Sequence, residues 1–242
     1  MKATALEFRF RYLIHAVIYV LGFVAPWDRW LHLDTVRTWQ WLASWPARLD
    51  WMSFSASTNA VLALGVVFAL AGAALRTWGA AYMGSGVVHD SSMHGDQVVA
   101  AGPYRYMRNP LYLGTFLHTF ALALLMLPSG ALFTVIAIGL LQLRLMLAEE
   151  AFLTAKLGEP YRAYCAAVPR IIPSLVARVP ESRARPSWGM AFLSEIYMWG
   201  VAGSFVAFGW RYNSLLIIQG VLVSLGVSLV VRAFVPKPAA AV

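Results

Sequence analysis

HDSSMHGDQVVAAGPYRYMRNPLYLG, residues 89–114, is the longest polar, glycine- and proline-punctuated stretch between two apolar runs. It leads straight into an apolar segment, so it reads as a loop feeding a membrane helix. Pro110 suits the first helical turn, where no amide proton is needed. It pushes Asn109 towards an extended shape, from which Asn109 can cap the helix. The free amides of that helix start can receive a carboxylate or a phosphate. Tyr104, Tyr106 and Tyr112 offer flat faces to an adenine. The same tyrosines, with the neighbouring arginines, also fit an aromatic belt at the lipid headgroups.

The rest of the chain supports the membrane setting. Of 242 residues, 60% are hydrophobic and 12% charged, against about 25% charged in a soluble domain. That much apolar surface needs a bilayer to cover part of it. The formal net charge of +8 then speaks for anionic lipid headgroups, not nucleic acid. Basic residues precede the first apolar run, as in a signal peptide. The run ends in Val24-Ala25-Pro26-Trp27, which is not a small-x-small cleavage site, so it reads as a retained helix.

Six apolar stretches are candidate spans: 10–26, 60–75, 111–127, 131–148, 190–208 and 215–231. The expected fold is an all-α integral membrane protein with about six transmembrane helices. The Trp-rich segment 27–57 adds one or two interfacial helices. The fourth span should continue to about Leu157 and stop at Gly158, with a short surface helix after Pro160. A cytoplasmic N-terminus puts Lys2, Arg9, Arg11, Arg76, Arg105, Arg108 and most later basic residues inside. It leaves Arg29, Arg37, Arg48 and Arg211 outside. Both termini are therefore expected in the cytoplasm. The loop 89–114 and the segment 149–186 would then share one face. Three regions follow: 1–57, a first helix and the Trp-rich segment; 58–175, a catalytic core; and 176–242, a linker with a C-terminal hairpin.

Glu149 and Glu150 close the fourth span. Carboxylates at such a position need solvent or a partner, and adjacent residues face different sides of a helix. Arg144 lies within the same span at neither i+3 nor i+4 from them, so it needs another partner or a polar cavity. His118, mid-span, reads as packing. His89, Asp90, His94 and Asp96 cluster without a template for metal binding, and no metal site is expected. The single Cys165 excludes an internal disulfide. No Gly-rich dinucleotide fingerprint or P-loop is present.

GPYRYMRNPLYLG (102–114), followed after a helical hairpin by EEAFLTAKLGEPYRAYCAAVPRIIP (149–173), resembles the isoprenylcysteine carboxyl methyltransferase and phospholipid methyltransferase superfamily. The family pattern is roughly G-x-Y-x-x-x-R-H-P-x-Y-x-G, then E-E and F-G-x-x-Y-x-x-Y-x-x-x-V-P. The resemblance implies S-adenosylmethionine (SAM) as cofactor, bound at the cytoplasmic face of an inner-membrane protein. It implies that Tyr104, Asn109, Pro110, Leu111 and Tyr112 form part of the pocket. A gap-free extension upstream adds His89, Asp96, Gln97, Val98 and Val99. Glu149 would hold the cofactor's amino group, with Glu150 beside it. Two departures stand out: Asn109 replaces the usual His, and Leu145 stands where the family has its acceptor-binding Arg. Arg144, next to it, is the candidate for orienting the acceptor.

The resulting expectation is a SAM-dependent methyltransferase acting on a lipidic or prenylated acceptor, first of all a carboxylate. Phospholipid N-methylation is the nearest rival. An NADPH-dependent sterol-type reductase shares a related scaffold and an R-H-P-like motif. A non-catalytic membrane scaffold would leave the convergence of two motifs on one face without a reason.

Overall fold

A computed structural model describes residues 2–27, 29, 36–83 and 98–232. Their regular structure is helical. The chain begins with α1 (Ala5–Arg9) and α2 (Arg11–Val24). The Thr4 and Glu7 side chains close a capping box at the start of α1. Then come α3 (Thr38–Arg48), α4 (Phe54–Met83) and a 3-10 turn (Gly102–Arg105). A hairpin follows, α5 (Pro110–Ala123) and α6 (Pro128–Leu157), then the short α7 (Glu159–Ala167). The C-terminal part is α8 (Trp188–Ser194), α9 (Ile196–Phe208), a second 3-10 turn (Gly209–Arg211) and α10 (Ser214–Arg232).

All six apolar stretches are helical, but they are unequal. Among the described residues, α4, α6 and α10 are long and apolar enough to cross a membrane, and α8 with α9 makes a fourth if counted as one bent span. Of the about six expected spans, three, or four with the bent pair, meet that measure among the described residues. At a rise of ~1.5 Å per residue, the 14 residues of α5 cover about 21 Å, short of the ~30 Å hydrocarbon layer. α2 has the same length. The 30-residue α4 and α6 reach about 45 Å.

α6 runs on to Leu157 as the sequence suggests, and Gly158 ends it with φ +63°, a conformation glycine adopts freely. α4 likewise runs past its apolar run. Arg76, expected in a loop, is buried inside it. α4 and α5 meet at two glycines. A Cβ on Gly72 would lie 2.8 Å from the Gly114 carbonyl oxygen, and one on Gly114 would lie 2.9 Å from that of Gly72. Small residues let membrane helices approach backbone to backbone in this way.

α3 is the one described helix of the Trp-rich segment, and it covers the α5–α6 turn. The Thr38 and Trp39 amides donate to the carbonyls of Met126 and Leu124. Trp39 is buried while Trp41, Trp45 and Trp51 stay exposed, as suits a helix at the membrane interface. α8 and α9 meet at a 68° bend. Glu195 sits at that bend, 2% exposed. The main apolar core joins α5, α9 and α10 through Leu122, Leu125, Phe205 and Ile217. The outer face of α10 (Val223, Val227, Val230) is exposed and apolar, as a lipid-facing surface is.

Candidate functional site

The start of α5 is held by a plate of extended chain. Residues 98–109 run beside residues 169–182. Arg108 and Asn109 donate backbone amides to Pro169 and Arg170 carbonyls at 2.9 and 3.1 Å. In return, Ser174, Arg178 and Ser182 donate to Tyr106, Arg105 and Ala100 at 3.0, 2.9 and 2.9 Å. Gly102 turns the chain with φ +53°, against the Tyr82 ring where no Cβ fits. Tyr104, 3% exposed, donates its hydroxyl to the Gly79 carbonyl at 3.4 Å, and Tyr164 donates to the Tyr104 carbonyl at 2.8 Å. Burial pushes both phenols well above their ordinary range, and for Tyr104 the Glu149 charge adds to the rise. They stay neutral donors.

The adjacent glutamates separate cleanly. Glu150 is a structural hub, 9% exposed. It accepts from Asn109 Nδ2 at 3.2 Å and from Arg170 at 2.9–3.1 Å, with Arg108 Nε at 3.6 Å. It thus ties the start of α5 and the segment after α7 to α6. Asn109 does not cap α5 with its side chain; that side chain serves Glu150 and the Arg170 carbonyl instead. Glu149 looks the other way. It accepts from the Tyr112 hydroxyl at 3.0 Å and lines a cavity.

That cavity has a volume of about 980 Å³, at the upper end of the roughly 300–1,000 Å³ usual for small-molecule sites. Its lower end is walled by Val98, Val99, Tyr104, Asn109, Tyr112 and Glu149, with Tyr161 and Tyr164 of α7. Pro110 and Leu111 also line it. Eight of the residues expected in the pocket are therefore brought together. Glu150 is not in the wall. His89, Asp96 and Gln97, with the His89–Asp96 metal candidates, lie outside the described residues. Arg144 is not in the wall either. Its guanidinium makes a two-point pair with Glu7, at 3.1 and 2.8 Å, holding α1 against α6. That pair keeps the Glu7 carboxyl at about 2, far below its ordinary value, chiefly through the Arg144 hydrogen bond.

Above Glu149 the cavity passes a belt of polar groups that sequence reasoning did not assign. Arg11, 8% exposed, donates to the Phe8 carbonyl at 3.0 Å, lies over the Phe8 and Tyr12 rings and is within electrostatic reach of Glu149. Arg76 and Glu195 make a two-point buried pair at 2.7 and 2.8 Å. Arg76 also donates to Thr115 at 2.7 Å. His118, read from sequence as packing, faces the cavity as well. One signal was available for the Arg76–Glu195 pair: each is a lone ionisable residue in an apolar run. Beyond this belt the walls are apolar, supplied by α2 and α10 through Val20, Phe23, Val221, Leu222 and Leu225.

Among known families, residues 60–159 match the model described as phospholipid methyltransferase. The matched segment holds most of α4, all of α5 and α6 and the chain between them, and so contains Tyr104, Tyr112 and Glu149. The resemblance carried by the two motifs is borne out. With the apolar helices, the match points to an integral membrane methyltransferase. No curated protein and no solved structure matches the chain.

Proposed function

We propose that this chain, whose residues 60–159 match the phospholipid methyltransferase family, uses SAM to methylate the polar head of a lipidic acceptor. The observation that carries it is the split of the glutamate pair: Glu150 locked in ion pairs, Glu149 turned with Tyr112 into the cavity. The donor set fits the cofactor. A carboxylate suits its ammonium, the neutral Tyr104, Tyr161 and Tyr164 suit a purine, and Val98, Val99 and Leu153 cover apolar surface. When bound, SAM supplies a methyl carbon made electrophilic by a positively charged sulfur.

The protein's task is alignment and exclusion of water. Glu149 holds the donor, with Tyr112 fixing the carboxylate's orientation. The plate of residues 98–109 and 169–182 shields that end from bulk water. A carboxylate acceptor is already ionised and needs no base. Arg11, in the wall and within reach of Glu149, is placed to orient it, the task that the sequence suggested for Arg144. The family description names phospholipids, and a second reading takes a headgroup amine as acceptor; there a group in the wall must also take up a proton. The cytoplasmic side is the reading for this end of the cavity, on the basic residues that flank it.

Purified protein incubated with a lipid extract and methyl-labelled SAM tests this reading. Label released from the lipid by mild base as volatile methanol is the expected ester. Label that stays non-volatile, on the headgroup nitrogen, gives the amine. Binding of NADPH without binding of SAM would overturn both in favour of a reductase.

A further inference from the structure

Two buried polar atoms in the cavity wall have no partner among the described residues. His118 is 1% exposed and Gln142 is 3% exposed. Among the described residues, neither His118 Nδ1 nor Gln142 Nε2 has a hydrogen-bond partner, and both residues line the cavity. A buried polar group left unpaired is costly, so native structures leave few of them. Two in one wall point to something that fills the space beside them.

Their depth is fixed by the helices. Gln142 lies seven residues before Glu149 on α6, and His118 lies six residues after Tyr112 on α5. Tyr112 and Glu149 touch, and the two helices run antiparallel. His118 and Gln142 therefore sit at one level, ~10 Å from that contact at about 1.5 Å per residue. The tautomer with its hydrogen on Nδ1 makes His118 a donor towards the cavity. His118 Nε2 lies 3.3 Å from the Tyr197 hydroxyl. With that phenol donating to Nε2, Nδ1 carries the hydrogen. Gln142 Nε2 is a donor in any case. Both call for an acceptor oxygen.

Building on the methyltransferase reading, we propose that His118 and Gln142 are a binding station for a carbonyl oxygen in the body of the acceptor. The acceptor is then an ester- or amide-linked amphiphile, not a plain isoprenoid chain. Its reacting head lies at Glu149 and Tyr112, its linkage at His118 and Gln142, and its tail among the apolar residues of α2 and α10. The pair selects the acceptor by its linkage; it takes no part in methyl transfer.

Matched probes test this without any turnover. Full-length protein in detergent is titrated, by native mass spectrometry, with a diacyl phosphatidylethanolamine and with its dialkyl ether analogue, which lacks only the carbonyl oxygens. The wild type should retain the ester ~10-fold better, the scale of one or two net hydrogen bonds. His118→Phe with Gln142→Leu should bring the ratio to about one. Equal retention of ester and ether by the wild type, or retention of neither, overturns the proposal. So does an unchanged preference in the double variant. The wild-type ratio decides alone if the variant fails to fold. SAM binding, measured separately by calorimetry, shows whether the methyltransferase reading itself has failed.

Discussion

Two buried carboxylates hold this molecule together, and they do so differently. Glu150 gathers partners from the chain around the site: Asn109, Arg108 and Arg170. One of those partners, Arg170, is exposed, so water shares in solvating the hub. Glu195 gathers one main partner, Arg76, from a helix more than a hundred residues away, and both are shut in. The first hub shapes loops at a membrane edge. The second joins the bend between α8 and α9 to α4 and, through Thr115, to α5. The same chemistry thus fixes a loop where solvent helps and a helix junction where it does not.

The difference can be broken first at the junction. Glu195→Ala leaves the Arg76 charge buried and unpaired, and should cost about 3–5 kcal/mol of stability, read as thermal unfolding in detergent. Glu195→Leu combined with Arg76→Met should recover most of it, because both charges are then gone. A small loss in the single variant would show that water reaches Arg76. At the site, Glu149→Gln should weaken SAM binding roughly 10- to 100-fold, the scale of a hydrogen bond between charged groups, with little change in melting temperature. Unchanged affinity by calorimetry would remove the donor-holding role. Glu150→Gln should do the reverse: about 1–3 kcal/mol of stability lost, and a smaller change in SAM affinity than Glu149→Gln gives. The smallest effect belongs to Glu7 and Arg144. Glu7 is depressed from 4.5 to about 2, so the pair's contribution is complete above pH 4.5 and fades as pH falls towards 2. Glu7→Gln should flatten that acid limb of the melting curve, lowering the melting temperature slightly at neutral pH and matching the wild type near pH 2.

Much of the site was legible because its residues are neighbours in sequence. Pro110 starting a helix, Gly158 ending one, and Tyr104, Tyr112 and Glu149 converging all follow from local rules and from the two motifs. The glutamates' division of labour was half legible: adjacent residues must diverge, but nothing local says which turns inward. Arg170, which decides it, lies twenty residues on in a loop. Arg144 illustrates a different limit. Its spacing showed that it needed a distant partner, and its partner is Glu7, at the far end of the sequence. Arg76 and Glu195 were visible as solitary charges, yet their pairing depends on how α4 meets the α8–α9 bend. Helix ends were less legible because hydropathy counts apolar residues, while the chain at Leu124–Leu127 and at Glu195 interrupts the helices themselves.

The recess of the Glu149 end has a further consequence. Glu149 lies eight residues inside the end of α6, behind the plate, whereas Arg162, Arg178 and Arg183 stand exposed around it. Mobile ions screen exposed charges over about 10 Å at 0.1 M ionic strength and reach enclosed ones poorly. Raising the salt should therefore loosen the protein's electrostatic hold on anionic membranes while its grip on a cationic small molecule at Glu149 barely changes.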